Sequence, residues 1–167
     1  MDLIIFDLDN TLIKTDYPEL DPIRRSLRNE NNLPVLRDFL GKCGNLTRIP
    51  EKTLKNLNKK CSLAVFSGAP RCYVNYMLSH YYPNIEFSAV ICYEDVGRMY
   101  KPSPCGIIKA MKNCGTTSPE KVIYIGDDYR DRIAAASAGC RYMHWNWYKT
   151  ENEINCKLNT LEQLYPK

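Results

Sequence analysis

The chain has 167 residues, 44% of them hydrophobic and 25% charged, which suits one soluble domain with a real core and excludes both a disordered chain and two full-sized domains. Net charge is only +4, but residues 14 to 60 hold eleven Lys/Arg against six Asp/Glu, so the excess is local; it reads either as a solvated helix face or as an attraction for polyanions. No apolar run approaches the roughly 18 residues a membrane span needs, and an N-terminus that runs from Asp2 into Leu3-Ile4-Ile5-Phe6 and then another carboxylate resembles no secretory or transit signal. A cytoplasmic protein is expected.

In chain order, Leu3 to Phe6 is a short apolar run with β-branched members that stops at Asp7-Leu8-Asp9-Asn10, the pattern of a buried strand feeding a loop. Residues 14 to 32 are rich in charge, Asn and Pro and read as an irregular excursion, followed by a helix near Leu33 to Gly41. Leu63-Ala64-Val65-Phe66 is the next strand and ends at Ser67-Gly68; a helix follows Pro70, with Tyr73, Met77 and Tyr81 at spacings of four. Ala89 to Ile91 is a third strand. Ser103-Pro104 opens a helix in which Ile107, Ile108 and Met111 are expected to share a face, closed by Gly115. Val122 to Ile125 is a fourth strand, ending at Gly126-Asp127-Asp128, and a helix from about Tyr129 to Ser137, rich in alanine, stops before Gly139. From Trp145 to Lys167 a strand end and a short helix around Leu158 to Leu164 are expected. Eight cysteines, with no C-x-x-C pair, read as reduced and mostly buried thiols.

Strands alternating with helices predict an α/β fold, a three-layer α/β/α Rossmann-like domain with a mostly parallel sheet, here a single domain spanning residues 1–167. Ligands in such folds collect at the carboxyl ends of strands, where this sequence puts Asp7, Asp9, Ser67, Asp127 and Asp128. Asp7 and Asp9 are two apart, so both carboxylates can reach one side of the sheet edge. One could attack an electrophile while the other moves a proton. If the strand before Asp127 lies beside the first, three carboxylates converge, and a divalent cation, Mg2+ by its preference for oxygen, would relieve their repulsion. Ser67 and the backbone around Gly68 could bind a phosphoryl oxygen, and Lys101 could offset its charge. Each signal alone is ordinary: a D-x-D pair is usually solvated, Ser-Gly is usually a turn, and Gly-Asp-Asp can simply cap a helix.

Together and in this order they resemble the motifs of the haloacid-dehalogenase-like (HAD) superfamily. Phe6 to Leu12 is similar to its motif I and Val65 to Gly68 to motif II. Glu94 to Gly97 with Lys101 to Pro104 is similar to the motif III region of the phosphatase branch, and Ile125 to Asp131 to motif IV. The resemblance implies a Mg2+-dependent phosphatase in which Asp7 is nucleophile and metal ligand. Asp9 would be the acid/base and bind the metal through its backbone carbonyl; Asp127 would complete the metal set. Ser67 and Lys101 would bind the phosphoryl group, with Asp131 supporting the metal or Lys101. Arg71, four residues after Ser67, is the preferred substrate contact, ahead of Lys14, Arg98, Tyr100, Tyr129 and Arg130. The long cap usual after motif I has no room here, so residues 14–60 hold at most a minimal cap. That likens the chain to capless magnesium-dependent phosphatases and opens the site to a small molecule or to an exposed phosphate on a protein or nucleic-acid end. A phosphorelay receiver is the competing signalling module, but there Lys-Pro comes last. A dehalogenase would lack Asp9, and an inactive scaffold would not keep every catalytic residue type.

Overall fold

The computed structural model describes residues 2–28, 32–149 and 151–163. Five strands, β1 (Leu3–Phe6), β2 (Ser62–Phe66), β3 (Ala89–Ile91), β4 (Val122–Gly126) and β5 (Arg141–His144), form one parallel sheet in the order β3-β2-β1-β4-β5. Strand β1 is central, with Phe6 in register with Val65 on one side and Ile125 on the other. The carboxyl ends of β1, β2 and β4 therefore line up, and the strand order reverses at β1, the place where α/β folds open a crevice.

Side chains alternate across the sheet with period two. Ile4, Phe6, Leu63, Val65, Ile123 and Ile125 face one core, and Leu3, Ile5, Ala64, Phe66, Val122 and Tyr124 face the other. Helices α1 (Leu20–Ser26), α2 (Leu33–Cys43), α3 (Glu51–Asn58) and α4 (Arg71–Tyr81) cover the first face through Leu20, Leu36, Leu40, Leu54, Leu57, Tyr73 and Met77. Helices α5 (Tyr93–Val96), α6 (Cys105–Asn113) and α7 (Tyr129–Ser137) cover the second through Val96, Ile107, Ala110, Met111, Ala134 and Ala135. This is the three-layer α/β/α fold expected from the alternating elements. Among the described residues no helix is long and apolar enough to cross a membrane.

Several local expectations change. The stretch read as irregular holds α1, whose Leu20 is buried, as is Leu27 just after it. Ile108 is exposed, because i and i+1 point about 100° apart on a helix; Ala110 takes its place inside. The last helix, α8, runs Glu151–Gln163, earlier than expected, and residues 164–167 lie outside the described set. All eight cysteines are free, but only Cys92 is buried and Cys156 is exposed; the rest sit on helix or strand flanks at intermediate depth, so the expectation of mostly buried thiols is corrected.

Candidate active site

The loop after β1 is closed by its own backbone. Asn10 adopts a left-handed conformation (φ 56°), which a short polar side chain tolerates. Its side-chain oxygen accepts from the Thr15 N–H at 2.9 Å while its own N–H donates to the Thr15 hydroxyl at 3.2 Å. Lys14 N–H donates to the Thr47 carbonyl (2.8 Å) and Ile49 N–H to the Leu12 carbonyl (2.9 Å), so the chain leaves for α1 and α2 and returns at one point. The turn leaves Asp7 at the end of β1, 7% exposed, and Asp9 partly open to the cleft above.

Lys101, itself 8% exposed, reaches back across the sheet to this point. Its ammonium lies 2.6 Å from Asp7 Oδ1 and 2.8 Å from Asp131 Oδ1. Burial alone would lower the Lys101 pKa, but the two carboxylates outweigh it and hold it above the usual value. Burial pushes the Asp7 carboxyl well above the ordinary range, opposed by Lys101 and reinforced by Asp131. Asp127 is pushed up to about 6, first by burial and then by Asp131. Carboxylate oxygens of Asp7, Asp127 and Asp131 all lie within 4.8 Å of one another. An all-oxygen, all-acid set at this spacing fits a hard divalent cation.

Asp131 is placed by the start of α7. Asp128 caps the helix, accepting from Arg130 N–H at 2.8 Å, and Asp131 Oδ2 accepts from Asp128 N–H at 3.1 Å, a reciprocal capping box. Its other oxygen takes the Tyr124 hydroxyl (3.0 Å) and Lys101. Gly126 makes this approach possible: a Cβ there would stand 2.5 Å from Asp131 Cγ. Both Asp131 oxygens are thus engaged, whereas among the described residues Asp127 accepts one side-chain bond, from Thr11 at 3.4 Å. Asp7 and Asp127 are the acids with coordination capacity to spare.

The three acids that meet here are 7, 127 and 131, rather than the 7, 9 and 127 that chain spacing suggested. The Asp9 carboxylate is drawn away by three donors on Oδ1: the Tyr73 hydroxyl at 2.7 Å, the Thr15 hydroxyl at 2.8 Å and Arg24 at 2.9 Å. Burial and the Asp9 charge together raise the Tyr73 phenol well above its usual pKa, so it stays a donor.

Asp7, Asp9, Ser67, Gly68 and Lys101 all line one cleft of about 440 Å³, joined there by Tyr100 and Arg130. Ser67 is buried at its floor, its hydroxyl accepting from Ala69 N–H at 3.1 Å. Arg71 does not line the cleft. Its guanidinium pairs with Asp95 and its N–H donates to Glu94, both on α5. As the first residue of α4, Arg71 is turned toward α5. Sequence reasoning missed three arginines of the α1 segment, Arg24, Arg25 and Arg28, which line the cleft instead. The one trace of their helix is the spacing of Leu20, Ile23 and Leu27.

Residues 47–144, more than half of the chain, match the sequence model of the haloacid dehalogenase-like hydrolases. The chain belongs to that family. Comparison with curated protein sequences gives no match. Among solved structures the HAD chain is similar to a HAD-superfamily hydrolase from Ehrlichia chaffeensis, at 21% identity and TM-score 0.67 over 96% of this chain and 98% of that one. It is also similar to a predicted phosphoglycolate phosphatase from Haemophilus somnus 129pt, at 20% identity and TM-score 0.68 over 91% and 90%. A third is CbbY from Rhodobacter sphaeroides in complex with phosphate, at 19% and 0.63 over 89% of each. At these identities the likeness establishes the shared HAD fold.

Proposed function

We propose that this HAD hydrolase is a Mg2+-dependent phosphatase that cleaves phosphate monoesters through an aspartyl-phosphate on Asp7. The observation that carries the reading is the buried Lys101 ammonium, held between Asp7 and Asp131 beside Asp127, at the carboxyl ends of adjacent strands. Two of the similar folds belong to a predicted phosphoglycolate phosphatase and to a protein in complex with phosphate, which agrees with it.

Asp7 and Asp127 would hold the cation, together with the Asp9 backbone carbonyl that the family resemblance suggests. When bound, Mg2+ supplies positive charge against the phosphoryl oxygens and the ionised acids. Lys101 and the Ser67–Gly68 loop bind and orient the phosphoryl group in line with Asp7. An Asp7 oxygen forms a bond to phosphorus as the ester P–O bond breaks. Asp9, ionised in the free site and protonated from solvent in the substrate complex, gives that proton to the leaving oxygen, and the alcohol departs. Asp9 then takes a proton from water, whose oxygen attacks phosphorus, releasing inorganic phosphate and restoring the Asp7 carboxylate. Tyr73, Thr15 and Arg24 fix Asp9 by Oδ1, which leaves Oδ2 to carry the proton. Residues 14–60, which carry α1 to α3, would stand in place of a larger cap within one catalytic domain. Eight free thiols suit a cytosolic setting.

The test is turnover of p-nitrophenyl phosphate with and without Mg2+. Asp7→Asn and Asp9→Ala should each lose at least 99% of activity with unchanged circular dichroism, and wild-type protein should acquire acid-stable, hydroxylamine-labile phosphate. Full activity in Asp7→Asn would overturn the mechanism.

A further inference from the structure

The cleft holds more positive charge than the phosphoryl end uses. Lys101 is committed to Asp7 and Asp131, Arg130 to Asp128, and Arg24 to Asp9 and Asp21. Two guanidiniums remain. Arg25 lines the cleft with no side-chain hydrogen bond or ion pair among the described residues. Among the described residues Arg28 makes only neutral contacts, donating to the Gly68 carbonyl at 3.3 Å and lying 4.5 Å from the centre of the Tyr93 ring.

Their placement is fixed by the fold. Leu20 and Leu27 anchor the α1 segment in the core, and the Cys72 thiol donates to the Leu27 carbonyl at 3.6 Å. Arg28 is tied to the residue next to Ser67, so an anion held by these arginines shares one cleft with the phosphoryl site. The cleft, about 440 Å³, is of the size that encloses metabolites rather than chains. Guanidinium forks match carboxylate and phosphate in two-point contact, and an anchored backbone adds no further ordering cost to that of the side chains themselves.

We propose that Arg25 and Arg28 form a second anion subsite on the leaving-group side of the cleft. The substrate is then a small phosphate monoester that carries a further phosphate or carboxylate. This rests on the phosphatase reading and names the substrate class for it. The α1 segment then does with Arg25 and Arg28 what a cap would otherwise do, selecting what enters.

The experiment is steady-state kinetics with Mg2+ on two matched pairs, fructose 1,6-bisphosphate against fructose 1-phosphate and 3-phosphoglycerate against glycerol 3-phosphate, beside p-nitrophenyl phosphate. In at least one pair the doubly anionic member should have a kcat/KM at least tenfold above its mate, expressed in KM; which pair separates tells phosphate from carboxylate. Arg25→Gln, which breaks no bond to a described residue, should reduce that ratio at least threefold. Arg25→Gln with Arg28→Gln should bring it near one, and Arg25→Lys should retain most of it. Mates equal within twofold in the wild type, a ratio that survives in the double variant, or a 3′-phosphorylated oligothymidylate preferred over every small substrate would overturn the subsite while leaving a phosphatase. No turnover of any substrate would overturn the phosphatase reading itself.

Discussion

Lys101→Met is a nearly volume-conserving change that removes one buried cation from between two acids. In the wild type the ammonium lies 2.6 Å from Asp7 and 2.8 Å from Asp131. Deleting it leaves two adjacent carboxylates away from water, and removal of one partner of such a buried set costs about 3–5 kcal/mol. The cost depends on pH with a definite sign. Asp7 already has a folded-state pKa above its unfolded value, so the folded state binds the proton more tightly and stability falls as pH rises through that range. Without Lys101 the shift grows, and the penalty increases until the acid's raised pKa is passed. At pH 5 only about one pH unit separates the solution from an ordinary carboxyl pKa, so raising the Asp7 pKa further can cost at most about 1.5 kcal/mol. Urea unfolding in EDTA should therefore find the variant about 3–5 kcal/mol less stable than wild type at pH 8 and about 1–2 kcal/mol at pH 5. Equal losses at the two pH values, or a loss under about 1 kcal/mol at pH 8, would mean that Lys101 does not neutralise these acids.

Magnesium should stabilise the protein by binding acids that must be ionised to receive it. Asp127, raised to about 6, stabilises the metal-free fold below pH 4 and loses that contribution as pH rises through about 6, so the melting-temperature gain from MgCl2 should be larger at pH 7.5 than at pH 5. A hundredfold excess over Kd is worth about 2.7 kcal/mol, about 5–10 °C for a chain of this length. Gly126→Ala would force its methyl onto Asp131; kcat should fall at least tenfold, with a stability loss of about 2 kcal/mol or more by urea titration. Tyr73→Phe deletes the 2.7 Å bond to Asp9 and should cost about 1.5–3 kcal/mol, the range for a hydrogen bond to a charged group, with a lowered kcat and an unchanged KM.

The sheet was legible because its strands are buried on both faces. Leu3 to Phe6, Leu63 to Phe66 and Val122 to Ile125 are continuous apolar runs, and Asp7, Ser67 and, one glycine later, Asp127 mark the carboxyl edge. β5 lacked that signal. As an edge strand reading Arg-Tyr-Met-His it keeps its side chains half in water, so nothing in its hydrophobicity sets it apart from a loop. Burial decided which strands spoke.

The acids divide along the same line. Asp7 and Asp127 follow buried strands and are fixed by the sheet's register, since Phe6 pairs with Ile125. Asp131 owes its position to helix geometry, three residues past the Asp128 cap, a spacing that is visible in the sequence as a capping box but whose second use, as the counter-ion of Lys101, depends on a residue thirty positions earlier. Asp9 shows the same dependence in reverse: adjacency to Asp7 suggested a shared ion, yet Tyr73 from α4 and Arg24 from α1 claim its carboxylate. Partners from distant elements are what separates the reaction class, which the motifs carry, from the choice of substrate, which on the proposed subsite would rest on the charge left unspent on Arg25 and Arg28 in the cleft.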